Sequence, residues 1–209
     1  MLGVIQIALI IVPTNGPFGP TEPVSGATFA RFLPEWHSIA PAGKRPALRG
    51  ADGVFSVIEQ LAGVRLPASA WESLILPARV GDYSPTMLDE LTSNGEVLIL
   101  GAGKAGAADP WIMLLPSDYA AQLAPETDAE GVSMLQRAIL DVLGRGGGFL
   151  FADIAAEAPG TTEETREALW GLVEMGLVSP DSFAPLRTRL SSGGSRSGRT
   201  AHRSKRRPT

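Results

Sequence analysis

Residues 96–115, EVLILGAGKAGAADPWIMLL, set Gly101, Gly103 and Gly106 in GxGxxG spacing behind an apolar run. In a dinucleotide fold such glycines turn a strand into a helix whose first amides hold a pyrophosphate. The residues after Gly106 exclude that geometry. Pro110 has no amide hydrogen and disfavours helical backbone at Asp109, and residues 111–115 form a second apolar run closed by Pro116. Strand, glycine loop and strand read as a β-hairpin. The loop is not a phosphate loop either, because Lys104 is followed by Ala105 and lacks the four-residue spacer. The hairpin reading sets the three glycines at its tip, with Lys104 where a phosphate backbone would be met.

Other chemistry-bearing residues are sparse. There is no cysteine, and the two histidines are His37 and His202, so disulfides and thiolate metal sites are excluded and no metal or cofactor is expected. His37 adjoins Ser38 but has no evident orienting acid, which makes a weak nucleophile pair. Asp181 is a weak candidate for a working carboxylate, and beside Pro180 it reads more simply as a turn residue.

The cations are unevenly spread. Residues 31–81 carry six basic and four acidic side chains, and residues 82–181 carry four and seventeen. Residues 191–209 add six basic residues and no acid, so the net −4 of the chain becomes −10 without them. A polyanion is therefore expected to meet the front half and the tail and to be repelled by the rear half. The candidate DNA contacts are Lys44, Arg45, Arg49 and Arg79, Lys104 in the hairpin, and Arg203, Lys205, Arg206 and Arg207 in the tail. Trp36 has the chemistry to stack on a base, but beside Phe32 and Leu33 it is expected to be packed.

These residues need elements to position them. Val54, Val57, Ile58 and Leu61 lie on one face of a helix that Asp52 would cap and Gly63 would end. Adding 81 to their numbers gives Leu135, Ala138, Ile139 and Val142, and the same offset carries Leu88, Leu91, Gly95 and Val97 onto Leu169, Leu172, Gly176 and Val178. Two matches at one offset imply a duplicated unit. In the first copy a Ser69–Glu72 capping box opens a short helix with Trp71, Leu74 and Ile75 on one face and Pro77 at its end. Ser84 and Pro85 then start a third helix that Gly95 stops, and the hairpin comes next. Three helices and a hairpin are the order of a winged helix. The second copy has helices over about 130–143, 152–157 and, from a Thr161–Glu164 capping box, to about 175, with a reduced wing.

The chain thus reads as mainly α with small β-hairpins, an α+β protein of tandem winged-helix units. Residues 1–28 are an irregular extension, 29–120 the first unit, 125–190 a second winged-helix-like unit, and 191–209 a disordered basic tail. The apolar stretch 1–12 is too short to span a bilayer and lacks the cationic start of a signal peptide, so no membrane association and a cytoplasmic location are expected. The exposed face of the third helix would carry Thr86, Asp89, Glu90, Thr92, Ser93 and Asn94, and that of its repeat Glu163, Glu164, Arg166, Glu167 and Glu174. Neither offers the cations of an ordinary groove-reading helix.

Four segments carry a family resemblance: FLPEW at 32–36, IEQL at 58–61, LPARV at 76–80 and FAPLR at 183–187. With the sequence around them, from about residue 24 to 190, they resemble the C-terminal extension of the large helicase-related (Lhr) proteins, bacterial ATP-driven DNA helicases linked to DNA repair. The resemblance implies a fragment whose motor, with its ATP and Mg, lies upstream, and the sequence holds no GxxxxGK[ST]. It further implies an architecture similar to DNA glycosylases built on winged helices, in which Asp181 would be the carboxylate to examine. Residues 1–23 depart from the family pattern. The resulting expectation is a non-catalytic DNA-binding and interaction module of a repair helicase, facing single-stranded or damaged DNA. The alternatives are an oligomerisation or protein-docking scaffold, joined to copies of itself or to a helicase motor, and a partial DNA glycosylase.

Overall fold

A computed structural model of the chain describes residues 23–39, 44, 46–106, 108–125, 127, 129 and 131–194. Helix α1 spans Gly26–Trp36 and begins inside the segment read as an irregular extension, because the Ser25 side chain accepts a bond from the Thr28 amide and caps it. Helix α1 has no buried residue. The first unit then runs α2 (Gly50–Gln60), β1 (Leu66–Pro67), α3 (Ala68–Ala70), a π turn (Trp71–Ile75), α4 (Leu76–Arg79), α5 (Pro85–Ser93), β2 (Val97–Lys104) and β3 (Pro110–Pro116). The short strand β1 was not evident from periodicity. It pairs antiparallel with β3, Leu66 facing Ile112, and β3 pairs antiparallel with β2, Ile99 facing Leu114, so the sheet order is β1-β3-β2. Helix, strand, helix, helix and hairpin make a winged helix with β2–β3 as its wing. Val54, Ile58, Trp71, Leu76, Leu88, Ile99 and Leu114 close its core with no exposed surface.

Local expectations for this unit need correction at several points. Asp82, not Asp52, serves the start of α2, where the Gly50 amide donates to Asp82 Oδ1 at 3.0 Å and Asp52 lies in the first turn. Ser84 occupies the N-cap of α5 without a side-chain capping bond. The Ser69–Glu72 box does not form, because the Ser69 amide and hydroxyl both donate to Asp109, at 3.1 and 2.7 Å. Pro77 does not end the second helix. Its ring would meet the carbonyl four residues back in a regular helix, and the turn just before it is a π turn, with wider i→i+5 bonding. The extra residue also rotates the buried face. Trp71, Ile75 and Leu76 are buried while Leu74 is 66% exposed.

Helix α6 (Ser117–Leu123) comes after the wing, and the second unit consists of α7 (Met134–Leu143), α8 (Phe151–Glu157) and α9 (Thr162–Glu174) around Ile139, Ile154, Ala158 and Leu172. The Thr161–Glu164 capping box is present at α9, and its hydrogen bonds hold the exposed Glu164 carboxyl below the usual range. A second box, Ser133 with Gln136, opens α7. Replacing Ser133 by alanine should cost about 1 kcal/mol, measured by denaturant unfolding, and a change under a few tenths would deny that the cap forms.

The repeated LxxLxxxGxV segments have one physical meaning. Gly95 (φ +76°) and Gly176 (φ +75°) each end a helix in the left-handed region. The amides of Glu96 and Leu177 bond back to the carbonyls of Leu91 and Leu172. Both ends are therefore Schellman caps.

The second unit contains no strand among the described residues. Where a wing would stand, the chain turns and enters α10 (Ala184–Gly194). Phe183 and Leu186 are fully buried in the first unit's core, so this segment returns to the earlier unit rather than completing the later one. The boundary expected at 190/191 accordingly falls inside a helix. Residues 195–209, with Arg203, Lys205, Arg206 and Arg207, lie outside the described residues, as do 1–22 and Arg45.

Candidate nucleic-acid face and the joint between the units

The wing glycines have separate duties. Gly101 is not at the tip but within β2, opposite Ile112. A methyl carbon built on it would overlap the Val173 carbonyl oxygen and lie 2.9 Å from the Glu174 carbonyl carbon, so α9 packs backbone to backbone on the wing. A methyl on Gly176 would in turn lie 2.7 Å from the Gly101 carbonyl oxygen. Gly103 (φ +103°) does take a turn conformation, and the amides of Ala105 and Gly106 close the loop on the Asp109 carbonyl.

Charged residues reinforce this joint. Glu174, expected on an exposed face, is buried. It pairs with Lys104 Nζ at 3.2 Å and accepts from Arg189 Nη2 at 2.9 Å. The Arg189 guanidinium also lies over the Trp170 ring, 4.7 Å from its centroid. On the same helix, Arg187 donates to both oxygens of Glu72 (2.7 and 2.9 Å) and both oxygens of Asp89 (2.8 and 3.0 Å). The Glu72 and Asp89 carboxylates raise the Arg187 pKa further above its ordinary value. Tyr83 donates its hydroxyl to Glu72 at 2.7 Å, and burial together with that carboxylate raises the phenol pKa. The Phe183 amide bonds Asp89 Oδ1 at 3.1 Å. Asp89 and the Pro85 carbonyl, both on α5, are thus engaged by the returning segment, and Thr92 is buried with its hydroxyl on the Leu88 carbonyl. The helix that normally reads a groove is held in place from within.

The candidate DNA contacts fall into distinct groups. Lys44 and Arg49 are exposed and, like Arg31 and Arg65, make no ion pair among the described residues. Arg79 is half-buried and spends its donors on the carbonyls of His37 (3.0 Å) and Ile75 (3.1 Å), its pKa lowered by burial. Lys104 is tied to Glu174, though its side chain stays largely exposed. Asp181 is exposed on the rim of a groove of about 1260 Å³ between α8, α9, α10 and the base of the wing, with Phe149, Phe151, Trp170 and Arg189 among its lining. Trp36, expected to be packed, is 59% exposed, with its ring 5.4 Å from that of Phe32. Sequence reading missed Arg187, Arg189 and their carboxylate partners. The available signal was FAPLR, a basic residue four positions after an aromatic one in a segment otherwise read as a turn.

Among the described residues no group of three or more His, Cys, Asp or Glu is placed to hold a metal. No helix among them is long and apolar enough to cross a membrane.

Residues 24–117 match the family described as large helicase-related protein, winged-helix domain. That span covers α1 through the wing. The Lhr helicase/probable uracil glycosylase of Mycolicibacterium smegmatis (strain ATCC 700084 / mc(2)155) is 45% identical over 193 residues, which are 90% of this chain and 12% of that protein. The Lhr helicase/uracil glycosylase of Escherichia coli (strain K12) is 44% identical over 206 residues, 89% of this chain and 13% of that protein. The chain spans about an eighth of the length of these curated relatives. Its winged-helix front unit, its motifs and its identity to both relatives agree: the chain belongs to the large helicase-related (Lhr) family.

Proposed function

We propose that this chain is a nucleic-acid-facing and interaction module of an Lhr-type DNA helicase acting in DNA repair, and that it performs no bond chemistry itself. The observation that carries this reading is the division of its cations. Lys104, Arg187 and Arg189 pair with carboxylates at the joint between the units, while the exposed Arg31, Lys44, Arg49 and Arg65 of the front unit make no ion pair among the described residues. Free cations at one end of an otherwise acidic body draw the phosphate backbone to that end. The basic residues of the tail extend the attraction. The names of both relatives include uracil glycosylase, which favours base-excision repair as the setting. Asp181 does not serve as the excising carboxylate in this proposal. It is exposed, and no hydrogen bond among the described residues orients it, whereas activation of water needs a positioned base.

The test is a salt titration of single-stranded DNA binding by the full chain and by a variant with Arg203, Lys205, Arg206 and Arg207 all changed to alanine. Binding should fall steeply with salt, and the variant's log–log slope should be shallower by about 3, one phosphate contact being worth roughly 0.7–0.9. Tight binding indifferent to salt would overturn the charge-based reading. Release of uracil from DNA by the chain alone would overturn the non-catalytic assignment.

A further inference from the structure

Helix α1 is the one long element whose apolar face has no partner among the described residues. Phe29, Phe32 and Trp36 are 44%, 48% and 59% exposed, and they lie at i, i+3 and i+7, on one face. Successive rings rise by about 4.5 and 6 Å along the axis. The ridge is nevertheless held firmly to the body at its end. Gln60 Nε2 donates to the Trp36 carbonyl at 2.7 Å, and Arg79 Nε to the His37 carbonyl at 3.0 Å.

Of the cations without an ion pair among the described residues, Arg31 lies on α1 itself and Arg49 next to its end. Leu48 bridges to Val80 while Arg79 bonds His37, so adjacent residues 79 and 80 join the end of α1 to the segment that opens α2 at Arg49. Arg31 is exposed on α1, about 100° around the axis from Phe32, with Glu35 one turn on, and Asp52 and Glu59 are the acids of α2. Even so, residues 31–81 carry six basic side chains against four acidic ones, where residues 82–181 carry four against seventeen. Three exposed aromatic rings in a row, on a helix anchored at its end and in a part of the chain where cations outnumber acids, match the two requirements of sequence-tolerant strand binding: base stacking and phosphate attraction.

Building on the nucleic-acid-facing reading above, we infer that α1 is a stacking platform for single-stranded nucleic acid. Phe29, Phe32 and Trp36 receive unpaired bases, and Arg31, Lys44 and Arg49 hold the backbone. Double-stranded DNA, whose bases are already stacked, does not satisfy the rings. The rear half, with seventeen acidic and four basic side chains over residues 82–181, takes no part.

The full chain, F32A, W36A, the double variant W36A/F32A, W36F and K44A/R49A are to be titrated with oligo-dT, oligo-U and a duplex of equal length, with thermal melts run alongside. Phe32 and Trp36 are exposed, so neither alanine variant should shift the melt. W36A and F32A should each weaken oligo-dT binding about fivefold to a hundredfold, W36F should retain most of it, and duplex binding should not change. K44A/R49A should flatten the salt dependence instead. The oligo-U arm separates a DNA-selective platform from one that accepts either strand chemistry. If the wild-type chain binds oligo-dT and W36A/F32A binds it equally well, the platform is overturned while the nucleic-acid-facing role survives. A double variant that changes the oligomeric state by light scattering but not the oligo-dT affinity also overturns it, in favour of a protein contact. If the wild-type chain binds none of the three, the underlying role itself fails.

Discussion

Gly101→Ala is expected to lower stability by about 3 kcal/mol or more, a fall in Tm of roughly 6–12 °C for a body of this size. The added methyl would occupy the space of the Val173 carbonyl and crowd the Glu174 carbonyl carbon at 2.9 Å. Both obstacles are backbone, and backbone cannot rotate out of the way as a side-chain end can. Relief requires α9 to move off the wing, which also pulls Glu174 from Lys104 and Arg189. The melt should then broaden or split, because the units would no longer unfold together. Gly106→Ala is the matched control. A methyl there lies 3.8 Å from its nearest neighbour, the Asp109 side chain, and should change stability by less than about 0.5 kcal/mol. Equal effects at the two positions would mean that Gly101 serves loop freedom and not close approach.

The second large effect is expected at Arg187. Its guanidinium satisfies Glu72 and Asp89 together, from a side chain 27% exposed. Arg187→Met would leave two partly buried carboxylates facing each other without a cation. Breaking a fully buried pair costs about 3–5 kcal/mol, and partial exposure discounts this to about 2–4 kcal/mol. Arg187→Lys should recover only part of the loss, since an ammonium cannot reproduce the planar fork that spans two carboxylates. The triple variant E72Q/D89N/R187M should be more stable than R187M alone, because the uncompensated charges are gone. Denaturant unfolding of the four proteins checks the order. If R187M lost less than about 1 kcal/mol, the clasp would be a surface ion pair of little weight, and Phe183 and Leu186 alone would hold α10 to the first core.

Both predictions concern the joint between the repeated units. That joint also engages part of the third helix of the winged-helix unit, while Thr86, Glu90, Ser93 and Asn94 stay exposed and offer no cation. Helix α5 gives Asp89 and the Pro85 carbonyl to Arg187, and its Thr92 is buried. On the nucleic-acid-facing reading proposed above, contact falls instead to α1 and the start of α2, whose Arg31 and Arg49 make no ion pair among the described residues.

What the sequence determined by itself was local. The hairpin at 96–116 came from two apolar runs and Pro110, the ends of α5 and α9 from Gly95 and Gly176, and the start of α9 from the Thr161–Glu164 box. Each depends on residues close to one another in the chain, so spacing alone carries the information. The family motifs were legible for the same reason. The tertiary structure decided the rest. Glu72, read as a capping residue, meets Arg187 across 115 positions, and Asp89 meets it across 98. Phe183 comes after the second unit in sequence but fills the first unit's core. Gly101, in a nucleotide-like spacing, proved to be a point of backbone contact with α9, and Lys104 proved to be a partner of Glu174. A charge or a small residue shows in the sequence that a close approach is possible. Which surface makes that approach is settled only when elements remote in the chain compete to bury their apolar faces and pair their charges.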